Sequence, residues 1–484
     1  MGEGRRCDCA RSMRWLSVPC SSVLAMWDAA STLPPTFVDG FHDRAAVERT
    51  HYKRLGKTDL VVSKLALGGG AFGELFGACD PTEAVETVKT AVRSGVSLVD
   101  TGYWYGQARS EQLMGRALRS VPRRAYYVSV SVGRYELDFQ KTDDYRSVSV
   151  SRALHDSLRR LGLKYADLAQ LQIHDFEFQP EEETILRESL PALQELKKAG
   201  VVRYLALGSY SLSKLTAILK RCTVPVDAVF VYSRATLSDG SLGRRIAEFR
   251  EKGIGVVNGS PTSGGLLTPM GPPSWHIAPE AVRDACAEAA FYCQSKDVSI
   301  AKLAVSYASN FPGVDTTLVG VRNSQELQQD LLATHEPLSV FERRLCERIL
   351  RRHLEPLQNQ HWEGAAIRRY WQRLQQQGVP TLKHSRRAHW RESAPPTTTT
   401  TASTGGRAER SASPRRRLLL AKLQQAPSPR LSTASDLSSA DRVHDDTESE
   451  AGRSAATTAD ARSRSTRGSS VTRSVSKKSA SGRR

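Results

Sequence analysis

Nowhere does the chain carry an uninterrupted run of about 18 apolar residues, so no membrane-spanning helix is expected. Its 8 cysteines include no C-x-x-C pair and no Cys/His spacing suited to zinc, which leaves no metal site to propose. Thiols scattered through so long a chain argue against a disulfide framework, and a cytoplasmic location is expected. No RNA-binding fold and no platform of interleaved aromatics accompanies the basic residues, so specific nucleic-acid recognition is not expected. The formal net charge of +18 belongs mostly to one end: from Lys383 onward, 21 Lys and Arg stand against 9 Asp and Glu.

Four regions separate along the chain. Residues 1–50 open with arginines ahead of a mildly apolar patch, as a targeting peptide would. Pro19, Ser21 and Ser22 interrupt that patch, so the segment reads as a disordered leader. Residues 379–484 are rich in Ser, Thr and Arg, as in "ARSRSTRGSS", and too polar to bury a core. This tail reads as disordered, with weak electrostatic attraction to an acidic partner as its one expected interaction. Residues 337–378 read as a C-terminal helical segment.

Between them, residues 51–336 alternate apolar strands with amphipathic helices eight times. Such a rhythm predicts a parallel sheet, and eight units of this size predict an α/β fold, the closed (β/α)8 barrel. The glycines of "LALGGGAFG" read as a simple loop rather than the phosphate turn of an open doubly wound sheet. The third strand, "YYVSVSVGRYE", alternates Val128, Val130 and Val132 with Ser129 and Ser131. Its valines should face helices. Tyr127, Ser129 and Ser131 should face the barrel interior, with Ser131 nearest the C-terminal mouth, where barrel enzymes place their chemistry.

Two other strands end in groups that move protons. "LVDTGYWYG" puts Asp100 at the mouth and Tyr105 in the loop above it, and "LQIHD" presents His174. Taken singly, each has a bland explanation in a turn cap, loop packing or a satisfied core histidine. Together with "YKRLGKTDLVVSKLALGGGAFG", "VGRYE", "HDFEF", "SPTSGGLLT", "GPPSWH" and "LVGVRNSQEL", these segments resemble the aldo-keto reductase superfamily. The resemblance is strongest to its L-galactose dehydrogenase and aldose 1-dehydrogenase branch.

That resemblance implies an NAD(P)-dependent oxidoreductase acting on an aldose or small carbonyl or alcohol substrate, and a monomer. Tyr105 would be the acid/base, Asp100 its support and His174 the group that orients the carbonyl. The family's lysine, which lowers the phenol pKa, is replaced here by Ser131. Serine supplies a hydrogen bond but no positive charge, so the phenol should ionise less readily. The alternative is therefore a catalytically impaired barrel that serves as a binding or scaffold protein. For the dinucleotide, NAD or NADP, the resemblance implies Ser209 at the nicotinamide end. It also implies Ser260, Gly265 and Leu267 around the pyrophosphate, and Gly320, Arg322, Glu326 and Asp330 at the adenosine end. Where the branch stacks an aromatic on the nicotinamide, this chain has Ala235.

Overall fold

The computed structural model describes residues 33–136, 142–173 and 181–365, with isolated positions up to 376. The expected tail lies outside the described residues. An antiparallel hairpin, β1 (Tyr52–Arg54) and β2 (Val61–Ser63), precedes eight parallel strands: β3 (Leu65–Gly68), β4 (Leu98–Gly102), β5 (Tyr127–Val132), β6 (Ala166–Ile173), β7 (Val202–Ser209), β8 (Ala228–Tyr232), β9 (Gly255–Gly259) and β10 (Thr316–Val319). These eight close in sequence order, β10 pairing with both β9 and β3. The fold is the (β/α)8 barrel that the eightfold rhythm implies.

The two-residue period of β5 sorts its side chains as expected. Val128, Val130 and Val132 join the layer between strands and helices, with partners such as Val99, Leu154 and Leu171. Tyr127 instead joins the interior cluster with Leu98, Leu168, Ala206 and Phe230. The outer helices have readable local causes. Asp80 caps the helix Pro81–Arg93 by accepting from the Thr82 and Glu83 amides at 2.9 and 2.8 Å, and Pro81 needs no such partner.

Two expectations are corrected. "LVVSKLALGGG" is two strands rather than one: the chain breaks pairing at Lys64, leaving β2 in the hairpin and β3 in the barrel. Leu55, Leu60 and Val62 of the hairpin region pack into the interior cluster and close the N-terminal end. Gly56 makes that approach possible, since a Cβ there, at φ +53°, would lie 2.3 Å from the Gly255 nitrogen. Residues 33–50, expected within a disordered leader, instead include the helix Arg44–Arg49, whose Ala46 and Val47 are buried, and residues 1–32 lie outside the described residues. The C-terminal segment is helical over its described first part, in three successive forms. Val340–Ile349 is α-helical, Leu350–Leu354 widens into a π turn, and a short 3-10 turn over Glu355–Leu357 leads to Trp362. Among the described residues no helix is long and apolar enough to cross a membrane.

Candidate active site

Strand register assembles the mouth. Asp100 aligns with Ser129, Gly102 with Ser131, and Ser131 with Gln170, so the inward side chains of β4, β5 and β6 stand together. Gly102 is required there: a Cβ at that position would sit 2.8 Å from the Ser131 Cβ. The Tyr105 hydroxyl donates to Asp100 Oδ2 at 3.3 Å. Asp100 Oδ1 is buried without a hydrogen-bond partner. Ser129 lies close enough to favour the charged carboxylate, yet its hydroxyl makes no well-formed hydrogen bond. Burial dominates, and it raises the Asp100 pKa to about 7. The Tyr105 phenol is pushed well above its ordinary value, chiefly by burial and then by Tyr232 and the Asp100 charge.

In the space where an ammonium would be expected lies a neutral chain of hydrogen bonds. Ser131 Oγ donates to Gln170 Oε1 at 3.2 Å, and Gln170 Nε2 donates to the Tyr232 hydroxyl at 2.5 Å. Gln170 is fully buried, and Gly208 makes room for it: a Cβ there would lie 1.9 Å from Gln170 Nε2. Tyr232 is in turn a polar neighbour of Tyr105. One inward step further along β6, Gln172 aligns with Gly208, and its Oε1 is buried without a hydrogen-bond partner. His174 lies just past the strand end, outside the described residues.

The loop after β5 brings a cation from the "VGRYE" segment to which the resemblance assigns no role. Arg134 stacks on the Trp104 ring, its Cζ 3.6 Å from the centroid, and pairs through its backbone with Asp143. Burial lowers its pKa to about 10, so it remains charged at neutral pH. It and Gln172 had one legible signal each, Arg134 three residues beyond Ser131 on the strand exit and Gln172 on the inward parity of β6. Nothing in the sequence joined Gln170 to Tyr232.

The positions expected along the dinucleotide are more elaborately bonded. Ser260 and Ser263 adopt positive φ, and the Ser263 hydroxyl bonds those of Ser238 and Thr236 at 2.8 and 3.0 Å. Gly265, at φ +95°, allows the loop to turn against Gly271. Leu267 is a packing residue, fully buried with Val282 and Cys286, so its side chain has no free face for a ligand. Ser209 is likewise committed, donating to the Ile173 carbonyl at 3.1 Å and accepting from the Ser211 amide at 3.0 Å. Gly320 is exposed beside Ala71. Arg322 is gripped by Glu326, whose carboxylate accepts its Nη2, Nε and backbone amide at 2.5, 3.0 and 2.8 Å. Asp330 is raised to about 7 by burial and by the Glu326 charge. Ala235 is wholly buried.

The C-terminal segment reaches the same mouth. Arg234, beyond β8, is buried between Asp239 (2.9 Å) and Glu363 (2.6 Å), while Trp362 stacks on Tyr210 at 4.9 Å. Among the described residues no group of His, Cys, Asp and Glu could hold a metal ion.

A sequence model described as the Aldo/keto reductase family matches residues 64–351. The chain is 34% identical over 317 residues to the L-galactose dehydrogenase of Arabidopsis thaliana, covering 64% of this chain and 96% of that protein. It is 31% identical over 288 residues to the D-arabinose 1-dehydrogenase of Saccharomyces cerevisiae, covering 55% and 81%. In three dimensions it is similar to the holo form of an aldo-keto reductase from Bacillus halodurans. The TM-score is 0.50 at 25% identity, over 62% of this chain and 96% of that one.

Proposed function

Because the chain belongs to the aldo/keto reductase family and is an oxidoreductase of that kind, we propose that it oxidises an aldose at carbon 1 with NAD. The observation that carries this reading is the Tyr105–Asp100 pair, a phenol donating at 3.3 Å to a carboxylate that titrates near neutrality. The aldose class rests on the names of the relatives.

When bound, the dinucleotide supplies a ring that accepts hydride. The residues of the chain manage the proton. The hydroxyl on carbon 1 gives its proton to the Tyr105 oxygen while the Tyr105 proton passes to Asp100, which is ionised above pH 7 and free to accept it. His174, by its place in the motif, orients the substrate oxygen. The proton thus ends on Asp100, and the substrate loses one hydride and one proton.

The loop containing Ser260 and Gly265 suits the pyrophosphate, and Arg322, Glu326 and Asp330 suit the adenosine ribose. NAD is favoured over NADP because Glu326 already occupies Arg322, and a 2′-phosphate would meet two carboxylates. A ribose 2′-hydroxyl can instead donate to one of them.

A second reading, a barrel that binds dinucleotide without efficient hydride transfer, draws on the absent ammonium at position 131. Calorimetry with NAD and NADP, followed by turnover on an aldose panel, tests both. The proposal expects NAD to bind at least about tenfold more tightly, roughly 1.4 kcal/mol, and aldose-dependent NADH formation. NAD binding with no turnover on any aldose would overturn it in favour of the second reading.

A further inference from the structure

We propose that Trp362 and Glu363 of the C-terminal segment are positioning residues for the dinucleotide, fastening the loop of residues 260–276 over its pyrophosphate. Their role rests on the proposed place of that loop, and it engages a segment that lies outside the eight strand and helix units.

The path from the segment to the loop runs through one imidazole. Trp362 is buried between two rings, stacked on Tyr210 with centroids 4.9 Å apart and meeting His276 edge-on at 4.9 Å. Its backbone amide also donates to the Tyr210 hydroxyl at 3.0 Å. His276 Nδ1 accepts from the Ala278 amide at 3.1 Å, so the ring proton sits on Nε2, which donates to the Ser263 carbonyl at 3.2 Å. The same imidazole closes on Gly264, where a Cβ would lie 2.9 Å from Nε2. Ser260 and Ser263 hold positive φ, a backbone form that residues with a side chain keep only where the surroundings impose it. Trp362 and His276 supply those surroundings on one side of the loop. On the other side the Trp275 indole donates to the Leu75 carbonyl at 3.0 Å, so the loop crosses the mouth from the segment after β3 to the C-terminal segment.

Glu363 anchors the segment. Its Oε2 accepts from Arg234 Nη2 at 2.6 Å, and its Oε1 accepts from the Ser213 hydroxyl at 2.6 Å and from the Ser211 hydroxyl. Arg234 is almost wholly buried. It donates also to Asp239 at 2.9 Å and to the Tyr210 carbonyl at 3.0 Å, while its guanidinium lies over the Tyr210 ring. One planar cation therefore ties the exits of β7 and β8 to the chain at Glu363. Asn359 adds a further tie, accepting from the Gly240 amide at 2.8 Å. These bonds fix Trp362 against the barrel, and Trp362 in turn fixes the loop through His276.

Release of NADH reads this fastening without any turnover. In the full chain, bound NADH is chased with excess NAD and followed by stopped-flow fluorescence. AMP, which carries the adenosine without the pyrophosphate bridge, is titrated by calorimetry. Trp362→Ala removes two ring contacts and should speed NADH release about tenfold, with AMP affinity unchanged. Trp362→Phe keeps both contacts and should release NADH at nearly the rate of the unaltered chain. Glu363→Gln leaves every ring in place and should speed release about threefold. An unchanged rate in Trp362→Ala would overturn the inference, as would equal acceleration in the Phe and Ala variants or a matching loss of AMP affinity. If Trp362→Ala does not fold, an unchanged rate in Glu363→Gln overturns it. NADH held by the unaltered chain but released at the same rate from the variants removes the fastening and keeps the dinucleotide reading. No NADH binding by the unaltered chain would remove both.

Discussion

Two parts of the barrel mouth are bonded in opposite ways. Beyond β10, at the end proposed for the adenosine, charges are matched: Glu326 grips Arg322 through three hydrogen bonds. At the reaction end, the carboxylate of Asp100 has one long hydrogen bond and an oxygen with none. Its strand neighbours are serines and glutamine where a cation would complete the set. On the proposed function, the difference teaches that a barrel can go without the charge that sharpens its chemistry while its frame and the surface proposed for the dinucleotide stay built. Register and glycines hold the shell and make room for the buried polar groups at its mouth.

The largest effect should come from Tyr105→Phe. Turnover should fall by about 10²–10⁴, with NAD affinity by calorimetry unchanged because the phenol belongs to the other end. Next, Ser131→Lys combined with Gln170→Ala should raise kcat by about 10². Gln170→Ala opens the volume the longer side chain needs, and the new ammonium would favour ionised Asp100, moving the acidic limb of the pH profile to lower pH.

A stability effect should follow from Asp100. Its folded pKa is raised from 3.8 to about 7, so between these values the unfolded state releases a proton that the folded state keeps. Stability from this group is therefore lost as pH rises from about 4 to about 7, and the loss persists above that. Asp100→Asn should gain roughly 2–4 kcal/mol in denaturant unfolding at pH 8 relative to its effect at pH 4. The smallest effect should come from Glu326→Gln. Freed from its carboxylate, Arg322 becomes available to a 2′-phosphate, and NADP affinity should rise about tenfold, roughly 1.4 kcal/mol. An unchanged preference would separate Glu326 from cofactor choice.

Much of the frame was legible because periodicity is a physical signature of burial. The serine and valine alternation of β5 and the eight strand and helix units needed no tertiary information. The hairpin was not legible, because "LVVSKLAL" is apolar on both sides of Lys64 and only the closing barrel tells which half is plug and which is wall. At the site, Asp100 and Tyr105 were readable because five residues of one loop bring them together. Gln170 and Tyr232 come from strands 62 residues apart, and their meeting depends on barrel closure and on the space left by Gly208. Leu267 and Ser209 fit the motif, yet packing had already committed their side chains.

The most direct test of the proton route is the pH dependence of single-turnover hydride transfer at saturating NAD, with and without Asp100→Asn. If Asp100 receives the proton in place of an ammonium-assisted phenol, the rate should climb about tenfold per pH unit below its midpoint near 7 and level off above it. That limb should vanish in the Asn variant. A rate independent of pH through neutrality, or a limb that survives Asp100→Asn, would contradict it.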